Sequence, residues 1–436
     1  GVVVVNQDST ASTIPELLNA IVPPTDAQLL EFQAILGDTV SARDDAEESA
    51  SIAAAEAASV GDVTDIDIRV DTTLNNNTIG HESYKSNTSG YNNTAFGYSA
   101  LKENTTGYDN LAVGSQAMKE NIEGERNTAI GVDALAKNTS GDHNLALGQN
   151  ALGYNTTGTY NTALGIDALE YGENNNFNTA IGQYAALNLE DSNNNTVIGY
   201  NTFQAATSGD GNVALGFGTL RDQDGVNGNT ALGTEAARGN LSGEYITAVG
   251  YRSGRSNTTG SNNTFIGDQA AFSNTAGGNN VAIGGNALYT SKETDYNTAV
   301  GKQSLFLNTG SNNTALGGFA GYNITTGTQN TFVGYGAGFN AGQKADAVNT
   351  TAVGRGAFTS KNNTVQLGNP SVTGVGVGAN RIEWLSSLPT TGAWARGSVI
   401  FNLSIVAGGS MGWICVTAGD FSETPPVFKA MASVEA

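Results

Sequence analysis

The chain has 436 residues, with 19 Lys+Arg against 40 Asp+Glu and a net charge of −21. Nucleic-acid phosphates and anionic lipid surfaces would repel it, so neither is an expected partner, and no membrane insertion is expected. The 57 glycines, with only 14% charged and 8% aromatic residues, argue against an ordinary globular domain. The lone Cys415 supports neither an intrachain disulfide nor a cysteine-only zinc site.

Residues 1–40 read as an N-terminal helical attachment segment. Ile14 to Ile21 is a short apolar stretch stopped by Pro23-Pro24. Thr25 and Gln28 have capping-box spacing ahead of Leu29, Leu30, Phe32, Ile35 and Leu36, and Gly37 is placed to end that helix. The opening GVVVVNQDST lacks the basic region of a secretory signal, and no run of eighteen apolar residues is present, so no transmembrane helix is expected. Residues 41–62 read as a short coiled coil. Ala46, Ala50, Ala53, Ala57 and Val60 step by alternating fours and threes, with acidic residues outside the seam. Residues 63–76 read as a connector.

From 77 to 368 one phrase recurs. Fourteen glycines from Gly80 to Gly301 follow one another at seventeen-residue intervals, and Gly317, Gly334, Gly354 and Gly368 continue with looser steps. A fixed period held over so many copies predicts a solenoid whose units cover one another's apolar surface. Asn127, Ile130, Gly131 and Leu135 mark one unit, Asn161, Leu164, Gly165 and Leu169 another, and Asn178, Ile181 and Gly182 the next. The residue before each glycine is always apolar, so Thr128 and Ile130 are expected to face the core, while Asn127, Ala129 and Gly131 share the opposite strand face. That small face would admit another chain closely. The apolar residue four places past the glycine (Leu135, Leu152, Leu169) predicts a second short strand and a second core position. Asn-Thr-Thr-Gly and Asn-Thr-Ser-Gly are turn chemistry, with Asn and Gly expected at positive φ. The fold class is therefore mostly β: a parallel β-roll, or β-solenoid, of eighteen coils stacked at ~4.8 Å into a rod of roughly 80–90 Å. Two strands per coil leave a thin interior, so the roll is expected to be stable only as an oligomer.

Asn-Thr-Ala-Ile-Gly at 127–131 and 178–182, with Asn-Val-Ala-Ile-Gly at 280–284, resembles the Asn-Ser-Val-Ala-Ile-Gly core of YadA-like heads, the parallel β-rolls of trimeric autotransporter adhesins. The resemblance covers about two thirds of the chain and implies a homotrimer. The usual unit of that family is about fourteen residues, and the additional residues here fall in the Asn-Thr-Thr-Gly turn. The Ala/Ser/Glu/Asp texture of the preceding segment resembles the N-terminal stalks of bacteriophage tail fibres.

Residues 369–389 read as a transition, in which GVGVGANR (374–381) is glycine-spaced like a nucleotide loop but lacks a surrounding βαβ unit and is read as a linker. Residues 390–436 read as a small β tip module with strands in GSVIFNLSIV, SMGWICVTAG and PPVFKAMASV. The spacing of Trp394, Gly397, Asn402, Gly408-Gly409, Gly412-Trp413-Ile414-Cys415 and Gly419 resembles a small β module found at the C-terminal ends of phage tail proteins, and amphipathic strands for a membrane anchor are not seen in it. Cys415 and Trp413 are expected to pack inside it. Trp394 and the loop Gly408, Gly409, Ser410 and Met411 are the candidate receptor-binding residues.

Catalytic signals are weak. His81 and His143 both read as surface turn residues. Asp222, Asp224 and Asn227 have calcium-loop texture without the bidentate glutamate, and Glu190-Asp191 sits in a variable loop. No enzyme, cofactor or metal is expected. The leading expectation is a phage tail fibre: a trimeric shaft, joined through its N-terminus to other tail or baseplate proteins, whose tip meets a host cell-surface glycan or protein. Its location would then be the virion tail. The alternatives are a bacterial surface adhesin or, third, a polysaccharide depolymerase on a trimeric β-scaffold.

Overall fold

A computed structural model describes residues 68–372, together with 374–377, 380–385, 393–394, 398–402, 412–420 and 426–431. The expected helical segment 1–40 and coiled coil 41–62 lie outside the described residues. The chain forms two compact units, divided between Asn263 and Thr264.

The first unit holds eleven coils, with strands running from Asn76–Ile79 to Thr247–Val249. Each strand pairs in parallel, without slip, with the strand of the next coil: Thr162 lies opposite Thr179, Ala163 opposite Ala180 and Leu164 opposite Ile181. The end of the expected connector contributes a strand of its own, Ile68–Asp71, which pairs antiparallel with Asn76–Ile79 and covers the first coil's edge. The second unit holds seven more coils, from Thr264–Ile266 to Val365–Leu367. These are followed by a five-stranded sheet in the order Gly374–Val377, Asn380–Leu385, Val399–Asn402, Gly412–Thr417, Val427–Ala430. The glycine-spaced 374–381 stretch is thus no linker, because its two strands form an antiparallel hairpin.

The interior of a coil is the reverse of the sequence expectation. Ala129, Ala163 and Ala180 are fully buried, as are Asn127 and Asn161, whereas Ile130 keeps 40% of its surface and Leu316 keeps 50%. Thr128 and Ile130 therefore point outward, and Asn127 and Ala129 point in. The reason is size. A coil this narrow has room for Ala but not for two rows of Ile and Leu, and a buried Asn can satisfy main-chain groups that the bends leave unpaired. Asn127 Oδ1 accepts from the Asn144 N–H at 2.8 Å, and Asn127 Nδ2 donates to Gly141 O at 2.8 Å. A second buried column begins at the turn asparagines: Asn138 Nδ2 donates to Asn121 Oδ1 at 2.7 Å and to Gly141 O at 2.9 Å. Each such bond spares a buried polar group a penalty of about 1–3 kcal/mol, so the two columns hold the coils in register.

The second expected strand is absent from the coils. After each bend glycine the chain makes tight turns, and Leu135 and Leu169, both fully buried as expected, lie at φ 50°. A left-handed leucine costs roughly 1–2 kcal/mol. Burying its side chain returns about 1.5–3 kcal/mol, and Leu169 N–H also bonds to Ala185 O in the next coil at 3.0 Å. The positive-φ residues are these inward leucines, the residue two places before each (Asp133, Asp167), and a turn column just before the buried asparagine (Asn92, His143, Tyr160, Asn262), whereas Asn138 and Asn155 of the Asn-Thr-Ser-Gly and Asn-Thr-Thr-Gly turns are not among them.

Where the repeat varies, volumes compensate. Phe332 takes the place of a core Ala, and its own coil and the one before it carry Gly338 and Gly321 where leucine usually stands. A Cβ at Gly338 would lie 2.7 Å from the Phe332 ring. Phe332→Ala is expected to lower stability by about 3 kcal/mol through the cavity it leaves. Adding Gly338→Leu to that variant should recover much of the loss, and melting curves of the single and double variants check it.

Candidate functional site

Two surfaces were candidates, the terminal module and the coil faces. In the terminal module, Ile400 and Cys415 form a buried core with Trp413 and Phe428 packed against it, as expected for Cys415 and Trp413. Cys415 N–H donates to Ser398 O at 2.8 Å. Trp394 lies in the two-residue strand Ala393–Trp394, opposite Gly419. Gly408, Gly409, Ser410 and Met411 lie outside the described residues, so the expected receptor-binding set is placed only at Trp394.

On the coils, the outward strand face is the broadest regular surface. Its two columns, the residue before each bend glycine and the residue two places earlier, consist of Thr, Val, Leu, Ile, one Phe and one Asn, with no charged side chain at any of the eighteen glycines. In a chain of net charge −21 this is an uncharged strip along which identical chains could approach without repulsion. Ile130, Leu164 and Ile181 all belong to it. Their expected core role is corrected: each is half-buried or exposed on this face.

Beyond the strand face, aromatic side chains form columns that the sequence reading missed. His143, Tyr160 and Phe177 stack in three successive coils, with centroids 4.6 and 5.1 Å apart. Phe272, Tyr289, Phe306 and Tyr322 stack in the second unit at 5.1–5.3 Å. Their seventeen- or sixteen-residue spacing was the available signal. His143 is therefore one ring of a stack rather than an isolated turn residue, and His81 stacks on Tyr98.

The candidate calcium residues are engaged in bonds within the protein, two of them across coils. Asp222 pairs with Arg221 Nε at 2.8 Å, Asp224 Oδ1 accepts from Thr207 Oγ1 at 2.6 Å, and Asn227 Oδ1 accepts from Asp210 N–H at 2.8 Å. Hydrogen bonding from Thr207 lowers the Asp224 carboxyl below its ordinary range. Glu190 and Asp191 are exposed, and Asp191 Oδ1 accepts from Asn174 Nδ2 at 2.9 Å. Among the described residues no group of three His, Cys, Asp or Glu could hold a metal, and no helix is long and apolar enough to cross a membrane.

One charged cluster stands apart. Glu235 is enclosed by Arg238, Arg252 and Arg255. Burial pushes its carboxyl up, but hydrogen bonds from Arg252 and Arg238, with the Arg255 and Arg238 charges, outweigh this and hold it below the usual carboxylate range. A depressed folded-state value means that its contribution is present above the ordinary Glu range and is lost as pH falls through the lowered value. Comparison of the chain with protein-family models, with curated proteins and with solved structures found no match.

Proposed function

We propose that this chain is a structural and adhesive fibre protein, a homotrimer whose coils form a shaft and whose terminal module meets a host surface. The supporting observation is the uncharged Thr/aliphatic face, in register from coil to coil and left open in the single chain. Two further copies of the same chain are its natural cover, because only a partner with the same repeat matches it coil for coil.

In this reading the chain is a phage tail fibre located on the virion tail. Its N-terminal segment joins other tail or baseplate proteins, and residues 390–436 contact a glycan or protein on the host cell. A bacterial surface adhesin is the alternative setting for the same architecture. Trimers lacking 374–436, the whole five-stranded sheet, are expected to stay soluble and assembled while losing attachment to host cells, read in a binding-competition assay against the full chain. If the shortened chain competes as well as the full one, recognition belongs to the coil faces instead.

A further inference from the structure

Three consecutive coils bring four arginines together. Counting from the bend glycines Gly216, Gly233 and Gly250, the fifth residue of each coil is Arg221, Arg238 and Arg255, and the second is Gly218, Glu235 and Arg252. Coils stacked at ~4.8 Å would set three guanidinium groups in one column, where they repel unless anions lie between them. Glu235 takes that place. Its Oε1 meets Arg238 Nη1 at 2.5 Å, and its Oε2 meets Arg252 Nε at 2.7 Å and Arg255 Nε at 3.2 Å. Asp222 meets Arg221 Nε at 2.8 Å and Arg238 Nε at 3.7 Å. Arg221, Arg238 and Arg252 thus share two carboxylates, on a chain that is otherwise strongly acidic. A guanidinium has more N–H donors than these contacts use, and these three side chains keep 25–38% of their surface.

One position before the second residue of each coil, the residue after the bend glycine forms a column that carries aromatic rings. Phe217 stacks on Tyr200 at 5.7 Å yet keeps 52% of its surface. In the following coil the equivalent position is the small, exposed Thr234, and in the coil after that it is Tyr251, with the Arg252 guanidinium 4.7 Å from its ring centroid. Two coil steps separate Phe217 from Tyr251, roughly 10 Å, which is room for one further ring above Thr234. A Cβ placed on Gly218 would meet nothing within 4 Å, so the space beside Arg221 is open as well.

We propose that this patch is a binding site for an acidic saccharide. The carboxylate or sulfate of the sugar is held by the guanidinium groups of Arg221, Arg238 and Arg252, and its ring packs against Phe217. Guanidinium suits such oxyanions because its planar donors can engage two oxygens at once. An exposed ring beside those donors favours a sugar over a bare anion. The site lies within the first unit and does not depend on whether the terminal module contacts a host.

The test is calorimetric titration of the full-length chain with trisaccharides bearing uronate, sulfate or sialate groups, with their neutral counterparts, and with inorganic sulfate alone. At least one acidic trisaccharide is expected to bind with a Kd of about 1 mM or tighter, weakening as salt is added. Arg221→Gln with Arg252→Gln should weaken it by about tenfold or more, since charge-assisted bonds are lost. Phe217→Ser should weaken the saccharide without changing the response to sulfate, and unchanged melting curves would show the variants folded. The proposal is overturned if no acidic trisaccharide binds below about 10 mM. It is also overturned if neutral counterparts bind equally, if sulfate alone binds as tightly, or if the folded variants bind as the parent does.

Discussion

Replacing Gly165 by alanine should unfold the coils around it, at a cost of about 4 kcal/mol or more. Two independent effects add. Gly165 lies at φ 135°, a backbone region essentially closed to residues with a side chain. An added Cβ would also fall 2.6 Å from the carbonyl oxygen of Gly182 in the next coil, and that oxygen is main chain, unable to swing aside. The same conflict recurs at Gly182 and Gly233, so the bend glycine is a condition for coils to stack at sheet spacing. Gly218→Ala is the control. Its φ of 59° is left-handed too, but nothing lies within 4 Å of the new methyl, so only the roughly 1 kcal/mol backbone penalty applies. Melting temperatures and protease resistance of the two variants should differ widely. Equal behaviour would mean that the glycine column does not set the coil spacing.

Ile181→Asp is expected to act on assembly rather than on the coil's own core. Ile181 points outward and is only half-buried in the single chain, so a carboxylate there can stay hydrated while the chain is alone. In a trimer closed around this face, three carboxylates would meet away from water, each costing several kcal/mol. The variant should therefore lose its oligomeric mass and melt lower. Asp191→Ala, at an exposed turn with φ 43° where the side chain accepts from Asn174, should leave the oligomeric mass unchanged and cost at most about 1 kcal/mol. If both variants assemble and melt alike, the outward face is not an interface.

Much of the fold could be read from the chain before any coordinates. The seventeen-residue glycine step, the short strand at Thr-Ala-Ile, the inward Leu135 and Leu169, and the strands Val399–Asn402, Gly412–Thr417 and Val427–Ala430 are where the pattern put them, while the hairpin over 374–385 that joins their sheet was read as a transition. The inside and outside of the strand were inverted. Apolar-in, polar-out reasoning assigned Ile130 to the core and Asn127 to the far face, but it carries no term for the width of the enclosure. A narrow coil selects Ala for volume and Asn for hydrogen bonding, and sends Ile outward. The second strand failed for a related reason. Leu169 reads as a strand residue, yet it reaches the interior from a left-handed turn, a conformation that side-chain preference argues against and that cross-coil bonding sustains. The arginine cluster was visible only as scattered residues at 221, 238, 252 and 255. Grouping them requires knowing that positions two and five after the bend share one side of the coil.

A trimeric fibre requires the outward Thr/aliphatic face to be covered by identical chains. The most direct test is the mass of the full-length protein by multi-angle light scattering at about micromolar concentration, where obligate interfaces remain closed. A value of three times 44.7 kDa is expected. A folded, stable species at 44.7 kDa would leave that face in water and contradict the trimeric fibre.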